Sequence, residues 1–226
     1  MHVALIKYTP DAELTVAVAA RLCYSSIEAP QIMEKMSEGQ IDSLFTILLA
    51  SGHLSPFEHA TFTFAIGGIS RACSHQLVRH RVASYSQQSQ RYVSFKKLPF
   101  VVPPSIEKKP ALKKNFEEAI EAAHKIYSDL MAAGIPAEDA RFILPNASST
   151  NLMMTMNARE LMHVSSLRLC PKAQWEILQL FSAVRKEVEK VAPRIAAQLQ
   201  PKCIKLGYCD ERESCGIMPT REEIIL

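Results

Sequence analysis

Hydrophobic residues recur at helical spacing in several segments of the chain and alternate with polar residues in others. The run Thr61-Phe62-Thr63-Phe64-Ala65-Ile66 alternates cleanly and is rich in strand-forming residues. It predicts a strand that the pair Gly67-Gly68 ends. Alternation at 152–156 predicts a second strand, and the first residues, around Val3 and Leu5, predict a short one.

Capping and breaking residues bound the predicted helices. Thr9 and Pro10 have the pattern of an N-cap and a first helical residue, for a helix that runs to about Tyr24. Asn157 and Glu160 have the spacing of a capping box. The other predicted helices cover 41–49 before Gly52, about 70–80, 112–130 before Gly134 and Pro136, and 175–188, with an end near Ala192 because of Pro193. These elements predict an α+β fold in which several long helices pack on a modest sheet.

The length and composition limit the possible classes of protein. A chain of 226 residues fits one domain covering 1–226, with an irregular C-terminal extension expected from about residue 201. Glycine is scarce and no glycine-rich phosphate-binding motif is present, which argues against a Rossmann domain or a P-loop. The first residues lack the features of a signal peptide, and no stretch approaches the ~20 apolar residues of a membrane span. We expect a cytoplasmic protein without membrane contact.

The six cysteines are interpreted as free thiols, because a chain of this length without a secretory signal does not need disulfides. Cys203, Cys209 and Cys215 lie at intervals of six in the tail. Plain thiols are favoured there, and a metal or redox role stays open. The histidines form no firm metal-ligand spacing, so no metal site is predicted.

One stretch of the chain is strongly basic, although the net charge of the whole chain is only +3. Residues 59–106 contain no Asp or Glu and carry six basic residues. Within them, the run 79–92 combines arginine with serine, glutamine and tyrosine. Arg offers a planar fork for phosphate oxygens, Ser and Gln can bind base and sugar edges, and Tyr can stack on a ring. This composition favours binding of a nucleotide or nucleic acid over a merely solvated surface.

The same run resembles the signature of the flavin-dependent thymidylate synthases, in which Arg-His-Arg is followed by seven residues and a serine. Here it reads Arg79-His80-Arg81, a spacer and Ser89, with Arg91-Tyr92 after it. Ser86 and Gln87 depart from the family pattern, where Asn and Glu are common. Further blocks match the family in its order: His53-x-x-Pro56-Phe57-Glu58-His59 upstream, and Ala140-Arg141 with Leu144-Pro145, Asn157-Ala158-Arg159, and Leu167-Arg168 with Ala173-Gln174-Trp175-Glu176 downstream.

The resemblance implies a fold of the thymidylate synthase-complementing type, assembled as a homotetramer with active sites shared between subunits. It implies methylation of deoxyuridylate (dUMP) to thymidylate (dTMP), with methylenetetrahydrofolate as carbon donor and FAD reduced by NADPH as the source of hydride. By matching motif, dUMP would contact Gln76, Leu77, Val78, Arg79, Gln87, Gln88, Ser89, Gln90, Arg91, Arg141 and Arg168. FAD would contact Ser55, Arg79, His80, Arg81, Gln87, Asn157, Ala158, Arg159 and His163.

Methylation of uracil at carbon 5 requires extra electron density at that atom. The common thymidylate synthases obtain it by adding a cysteine from a Pro-Cys-His segment to carbon 6, but no Pro-Cys pair occurs here. The resemblance instead implies that Arg168, a permanent cation, stabilises the anion left when nitrogen 3 loses its proton. Ser89 is then interpreted as a binding residue rather than a nucleophile, while a role for His80 as a general base stays open.

Helical geometry separates two groups of these residues. At ~100° per residue, Arg159 and His163 share one face of the helix that Asn157 begins. Arg168 lies nine residues after Arg159, so it is expected to point about 180° away. One helix would then contact the flavin and the nucleotide from opposite sides.

Two other functions remain as alternatives. A single-stranded nucleic-acid-binding protein would use the basic and aromatic residues of 79–97 as a stacking platform, although we expect no nucleic-acid partner. A transferase with a cysteine nucleophile would depend on Cys170.

Overall fold

The computed structural model describes residues 1–93 and 97–225, and the side chains of 1–93 and 97–224. Within them, four strands form one sheet in the order β1-β2-β4-β3. The strands are β1 (His2–Tyr8), β2 (Thr61–Ser70), β3 (Ser84–Gln87) and β4 (Ser149–Asn157). The central strands β2 and β4 are antiparallel: the Thr63 hydroxyl bonds that of Thr155 at 2.9 Å, and the Gly68 N–H donates to the side-chain oxygen of Asn151 at 3.2 Å. The strands predicted near the N-terminus, at 61–66 and at 152–156 are all present.

Helices occupy most of the remaining chain. They are α1 (Ala12–Leu22), α2 (Ala29–Lys35), α3 (Glu38–Ser51), α4 (Arg71–Leu77), α5 (Pro104–Glu107), α6 (Pro110–Ala132), α7 (Ala137–Ala140), α8 (Ala158–Arg168), α9 (Trp175–Glu189), α10 (Pro193–Ala197), α11 (Lys202–Leu206) and α12 (Arg221–Ile225). Short 3₁₀ turns cover Ser55–His59 and Arg141–Ile143. Helices combined with a small sheet confirm the α+β prediction.

The chain divides into two compact units. Unit one contains residues 1–2, 66–79 and 85–153, and unit two contains 3–65, 80–84 and the residues from 154 onward. The buried apolar side chains of unit one include Ile66, Ile69, Leu77, Ile120, Tyr127 and Leu152. Those of unit two include Val16, Phe57, Phe62, Phe64, Met156, Leu161, Leu180 and Phe181. The large apolar side chains that alternate along β2 are therefore buried, as the sequence pattern predicts.

Two predicted helix boundaries are confirmed by their capping geometry. Gly52 ends α3 with φ of 70°, a left-handed conformation that favours glycine. Asn157 caps α8, because its side-chain oxygen accepts the N–H of Glu160 at 2.9 Å. The cap fixes where α8 begins and so places the residues that follow Asn157.

The prediction that Thr9 caps the first helix is wrong. The Thr9 N–H donates to the Thr61 carbonyl at 3.0 Å, and the two hydroxyls are 3.1 Å apart. This contact extends the pairing of β1 with β2, and α1 begins only at Ala12, after Asp11 at φ of 46°. Strand pairing over a long sequence separation thus overrides a local helix-start pattern.

The prediction that the glycine pair ends β2 is also wrong. The strand continues to Ser70, with Gly68 at φ of 70°. A Cβ at Gly67 would lie 3.3 Å from the side-chain oxygen of Asn151, closer than ordinary contact. The glycines therefore permit close approach of β4 rather than terminating the strand.

Several elements have no counterpart in the sequence prediction, and β3 and α2 show why. The polar strand β3 is defined by its pairing with β4, where the Gln88 N–H donates to the Asn151 carbonyl at 2.8 Å. Helix α2 buries only Ile32, so it has no amphipathic stripe that a periodicity search would detect. Both elements depend on contacts with other parts of the chain.

The C-terminal segment that was expected to be irregular contains helices α11 and α12. Gly207 ends α11 with φ of 78°, and the Cys209 N–H donates to the Pro219 carbonyl at 2.7 Å. Within the described residues, no helix has the length and apolar character needed to cross a membrane.

A carboxylate in α1 is held by the start of α10. Glu13 is only 8% exposed, and its carboxylate accepts the Ile195 N–H at 3.2 Å and a guanidinium N–H of Arg194 at 2.7 Å. Arg194 also pairs with the exposed Asp42 at 2.6 Å and Glu38 at 2.7 Å. Hydrogen bonds to Asp42 and then to Glu13 raise the pKa of Arg194. This cluster joins three helices of unit two.

We expect Glu13→Gln to destabilise the fold by about 2–3 kcal/mol, because it leaves a partly buried guanidinium and backbone N–H groups poorly compensated. The thermal midpoint at fixed protein concentration should fall by roughly 5–10 °C. Glu38→Gln is the matched control, since Glu38 contacts the same arginine but its side chain is 79% exposed. That change should cost about 0.5 kcal/mol or less. Equal shifts for the two variants would contradict the importance of the buried carboxylate.

Candidate active site

Helix α8 positions the first group of predicted site residues. The Ala158 N–H donates to the Ala60 carbonyl at 2.8 Å, which ties the start of α8 to the residue before β2. Arg159 then forms an ion pair with Glu58 of the 3₁₀ turn. Both partners belong to the sequence blocks that carry the family resemblance. The structure brings these blocks together in unit two although they lie 101 positions apart.

A cleft of about 650 Å³ opens beside α8 in unit two. Its lining residues are Leu54, Glu58, Val82, Asn157, Arg159, Glu160, Met162, His163, Ser166, Gln198, Gln200, Pro201, Lys202, Lys205 and Leu206. Three predicted flavin contacts, Asn157, Arg159 and His163, are among them. The volume lies within the range of about 300–1,000 Å³ that is usual for small-molecule sites. The cleft is therefore the candidate cofactor site of this unit.

Other predicted flavin contacts of unit two do not line this cleft. Ser55 and Arg81 are exposed, whereas the Ala158 side chain is fully buried. The Ala158 side chain can therefore support the site only from within the core. His80 is 8% exposed and contacts α8 at another position.

One acidic residue of the cleft has no place in the sequence prediction. Glu160 is 8% exposed, and its burial raises the pKa of its carboxyl, with a smaller opposing effect from His163. Sequence analysis interpreted Glu160 only as a capping residue. Its position three residues before His163 in α8 is the available signal that it faces the same region.

The second part of the site is a contact between Arg168 and His80. The Arg168 Nε–H donates to the His80 Nε2 at 3.0 Å, and both residues belong to unit two. Burial, followed by the charges of Arg168 and His163, lowers the pKa of His80 to about 4. The family signature and the Leu167-Arg168 block thus meet through one hydrogen bond. Arg168 does not line the cleft, as helical spacing from Arg159 predicts.

Unit one holds a cluster of guanidinium groups. Arg91 pairs with the Glu138 carboxylate at 2.6 Å, and the Arg141 Nε–H donates to the Glu138 carbonyl at 3.1 Å. Burial lowers the pKa of Arg71, and the positive charge of the nearby Arg141 lowers it further. Among the described residues, no carboxylate pairs with Arg71. Arg91 and Arg141 are among the predicted site residues, whereas Arg71 is not, although its position in the acid-free stretch was an available signal.

The glutamines and the serine after β3 are held by local hydrogen bonds in unit one. The Gln87 amide donates to the hydroxyls of Ser74 at 2.9 Å and Thr150 at 3.3 Å. A carboxylate could not make these donations, which gives a structural role to the departure from the family pattern. The Ser89 hydroxyl accepts the Arg91 N–H at 3.1 Å. The half-buried Gln88 and Gln90 flank Ser89 in the chain.

The end of α4 carries the remaining predicted nucleotide contacts. The Leu77 side chain is fully buried, and its carbonyl accepts the Tyr85 hydroxyl at 3.0 Å. Gln76 is half-buried, and Val78 and Arg79 are exposed. Arg79 therefore offers its guanidinium to solvent within unit one.

The aromatic residues of the basic run differ in exposure. Tyr92 is 81% exposed, and the Arg91 guanidinium lies 5.6 Å from its ring centre. Phe95 and Lys96, which the alternative nucleic-acid platform would use, lie outside the described residues. No group of three or more His, Cys, Asp or Glu side chains in the described ranges is arranged to hold a metal ion.

Comparison with known proteins identifies relatives over nearly the full chain. The family model described as "Thymidylate synthase complementing protein" matches residues 4–194. A protein of Geobacter sulfurreducens named flavin-dependent thymidylate synthase is 49% identical over 219 residues, covering 96% of this chain and 94% of that protein. A protein of the same name from Pyrococcus abyssi is 43% identical over 221 residues, covering 94% of this chain and 91% of that protein.

A solved structure has the same fold. The UMP/dUMP methylase PolB from Streptomyces cacaoi, in a crystal structure bound with 5-Br dUMP, superimposes with a TM-score of 0.80 at 27% identity. The match covers 87% of this chain and 93% of that one. The resemblance seen in the sequence blocks is confirmed, and the chain belongs to the thymidylate synthase complementing protein family, that of the flavin-dependent thymidylate synthases.

Proposed function

We propose that this enzyme methylates dUMP to dTMP without a covalent protein nucleophile. Methylenetetrahydrofolate would supply the carbon, and FAD reduced by NADPH would supply the hydride. The observation that carries this proposal is the contact between Arg168 and a neutral His80. Among the described residues, no carboxylate neutralises the Arg168 guanidinium. The names of the relatives and the dUMP methylase fold support the same reaction.

The hydrogen bond fixes the protonation of His80. A guanidinium has only donors, so the His80 Nε2 must accept with a lone pair, and the imidazole carries its proton on Nδ1. The lowered pKa agrees with this assignment. A neutral imidazole orients the guanidinium without cancelling its positive charge.

Arg168 is therefore suited to activate the pyrimidine. Its Nε–H is used by His80, and its two Nη groups have no partner among the described residues. They can donate two parallel hydrogen bonds to the uracil edge and stabilise the negative charge that develops when nitrogen 3 loses its proton. That charge raises electron density at carbon 5, the atom to be methylated.

A cysteine nucleophile is not supported by the geometry of unit two. Cys170 lies close enough to the tail thiols to contribute to the raised pKa of Cys203, behind burial and Cys209. Ser89 accepts a backbone N–H, as expected for a residue that shapes a binding loop. Electron density at carbon 5 would therefore come from loss of the nitrogen 3 proton, with Arg168 stabilising the anion that forms.

The guanidinium cluster of unit one is suited to the 5′-phosphate of dUMP. Arg91 and Arg141 share one glutamate residue, and Arg71 adds a third positive charge, so the cluster keeps a net positive charge that favours a dianion. We propose Gln76, Leu77, Val78, Arg79, Gln87, Gln88, Ser89, Gln90, Arg91, Arg141 and Arg168 as the dUMP-binding residues.

The cleft beside α8 fits a flavin. Leu54, Val82 and Met162 offer apolar surface for a ring, while Asn157 and Arg159 offer polar donors. When bound, the flavin would supply the hydride that completes the methyl group. We propose Ser55, Arg79, His80, Arg81, Gln87, Asn157, Ala158, Arg159 and His163 as the FAD-binding residues.

The assembly and the setting of the enzyme are part of the proposal. We propose a homotetramer in which subunits share active sites, built from a single domain covering 1–226. The small-molecule partners are dUMP, methylenetetrahydrofolate and NADPH, and the proposed location is the cytoplasm.

The visible spectrum tests the function directly. The purified protein should be yellow, with flavin absorbance, and its consumption of NADPH should respond to added dUMP. With methylenetetrahydrofolate present, dTMP should form. A colourless protein that binds single-stranded nucleic acid with affinity falling steeply as salt rises would support the alternative function instead.

Replacing Arg168 with alanine should lower kcat at saturating dUMP by about 100-fold or more, because the developing negative charge loses its stabilising donors. Flavin content and the thermal midpoint should stay near those of the unchanged protein. Arg185→Ala, at an exposed position of α9, is the matched control. Near-normal turnover of Arg168→Ala at saturating nucleotide would show that Arg168 only anchors the substrate.

The protonation of His80 gives a pH prediction. Its pKa is about 4 in the folded protein and 6.5 in its ordinary state, so the unfolded chain takes up a proton first as the pH falls. The stability contributed by neutral His80 is complete above pH 6.5 and is lost progressively toward pH 4. His80→Asn should therefore make the dependence of the thermal midpoint on pH shallower between these values.

An NMR titration with isotope-labelled histidine measures the same property. His80 should stay neutral down to about pH 5, and Arg168→Met should raise its pKa without restoring 6.5, because burial is the larger cause. Glu160, whose pKa is raised, favours the folded state as the pH falls. This effect is present in both the unchanged protein and His80→Asn, so it does not alter the comparison of their thermal midpoints. Titration of His80 near pH 6.5 would contradict the assignment.

A further inference from the structure

Two walls of the cleft differ in origin, while Leu54, Glu58 and Val82 complete its lining. One wall comes from α8, which lies inside the matched family residues 4–194. The other comes from the C-terminal segment 198–206, which lies beyond them. We call this segment, from Gln198 to Leu206, the tail wall. A cofactor held by α8 would therefore also meet side chains that the family signature does not include.

The tail wall is held in place by contacts within unit two. Among the described side chains from 201 onward, only Cys203 and Cys209 are buried, each 6% exposed. Lys202 pairs with Asp210 at 3.0 Å and with Glu211 at 2.9 Å. These ion pairs connect α11 to the residues that follow it, and α11 also contacts α8, so the wall is held against the other side of the cleft.

The charges in the cleft are mostly compensated. Arg159 pairs with Glu58, and Lys202 pairs with two carboxylates. The raised pKa of Glu160 favours its neutral form. Lys205 differs, because it is exposed and no carboxylate pairs with it among the described residues.

Lys205 therefore supplies the uncompensated positive charge of the tail wall. The half-buried amides of Gln198 and Gln200 line the same wall and offer neutral donors. An ammonium and amide donors that line one wall suit a phosphate group, whose oxygens accept charge-assisted hydrogen bonds. An uncharged ligand would gain little from this group.

We propose that Lys205, with the amides of Gln198 and Gln200, binds the pyrophosphate of the flavin nucleotide whose ring and sugar chain lie along α8. The tail wall is then part of the cofactor site and favours a phosphorylated flavin over riboflavin. This inference rests on the proposed function, because it takes FAD to be the ligand of the cleft.

The test measures FAD affinity of the full-length protein after removal of bound flavin, by quenching of flavin fluorescence. Lys205→Met should raise the Kd for FAD by about tenfold, because it removes a charge-assisted hydrogen bond from a partly solvated site. It should also weaken the dependence of the Kd on salt. Lys205→Arg should stay within about threefold of the unchanged protein, because the charge is kept.

Lys186→Met is the matched control, at an exposed position of α9 outside the cleft. Its Kd for FAD should not change. Equal Kd values for Lys205→Met and the unchanged protein would overturn the proposal, as would an equal loss in Lys205→Arg. Weaker binding of NADPH with unchanged binding of FAD would also overturn it.

The outcome is separable from that of the proposed function. If the unchanged protein binds no flavin and shows no NADPH consumption that depends on dUMP, the proposed function fails and the tail assignment fails with it. If the unchanged protein binds FAD and Lys205→Met binds it equally well, only the role of the tail wall is overturned.

Discussion

The hydrogen bond from Arg168 to His80 is the interaction on which the proposed chemistry depends. It joins the end of α8 to the Arg-His-Arg signature, and it exists only if the imidazole is neutral. A carboxylate in the position of His80 would orient the guanidinium equally well, but it would cancel most of the charge that the pyrimidine anion needs. Burial of His80, with the positive charge of Arg168 beside it, keeps the imidazole neutral. The interaction thus supplies both the orientation and the free charge.

The number of carboxylates around each cation separates structural groups from candidate binding groups. Arg194 has three carboxylate partners and connects helices. Arg91 pairs with one carboxylate, that of Glu138, whereas Arg141 contacts the backbone carbonyl of the same residue and Arg168 contacts an imidazole. Among the described residues, no carboxylate pairs with Arg71 or Lys205. Positive charge left uncompensated at half-buried positions, such as those of Arg71, Arg141 and Arg168, is costly unless an anion binds there, so these groups mark the candidate sites.

Helix α8 positions the candidate binding residues of unit two. Its capped start places Arg159 and His163 along the cleft, while its last residue, Arg168, contacts His80 instead. A regular helix presents residues nine positions apart on opposite sides, so α8 alone can contact two ligands. The fold that holds this helix is shared with PolB at 27% identity, which shows that the architecture tolerates extensive change in sequence.

The α+β class, the main helices, the family and most of the candidate residues could be predicted from the sequence alone. These depend on local periodicity, capping patterns and ordered motifs, and each of these signals lies in residues that are close in sequence. Other features appear only in the folded chain: Thr9 pairs with Thr61 beyond the end of β1, Arg71 lies near Arg141, and residues after 194 form a wall of the cleft. Each of these is a contact between distant segments, and neither propensity nor spacing specifies which distant groups will meet. The protonation of His80 belongs with them, because burial and neighbouring charge set a pKa, and both exist only in the folded chain.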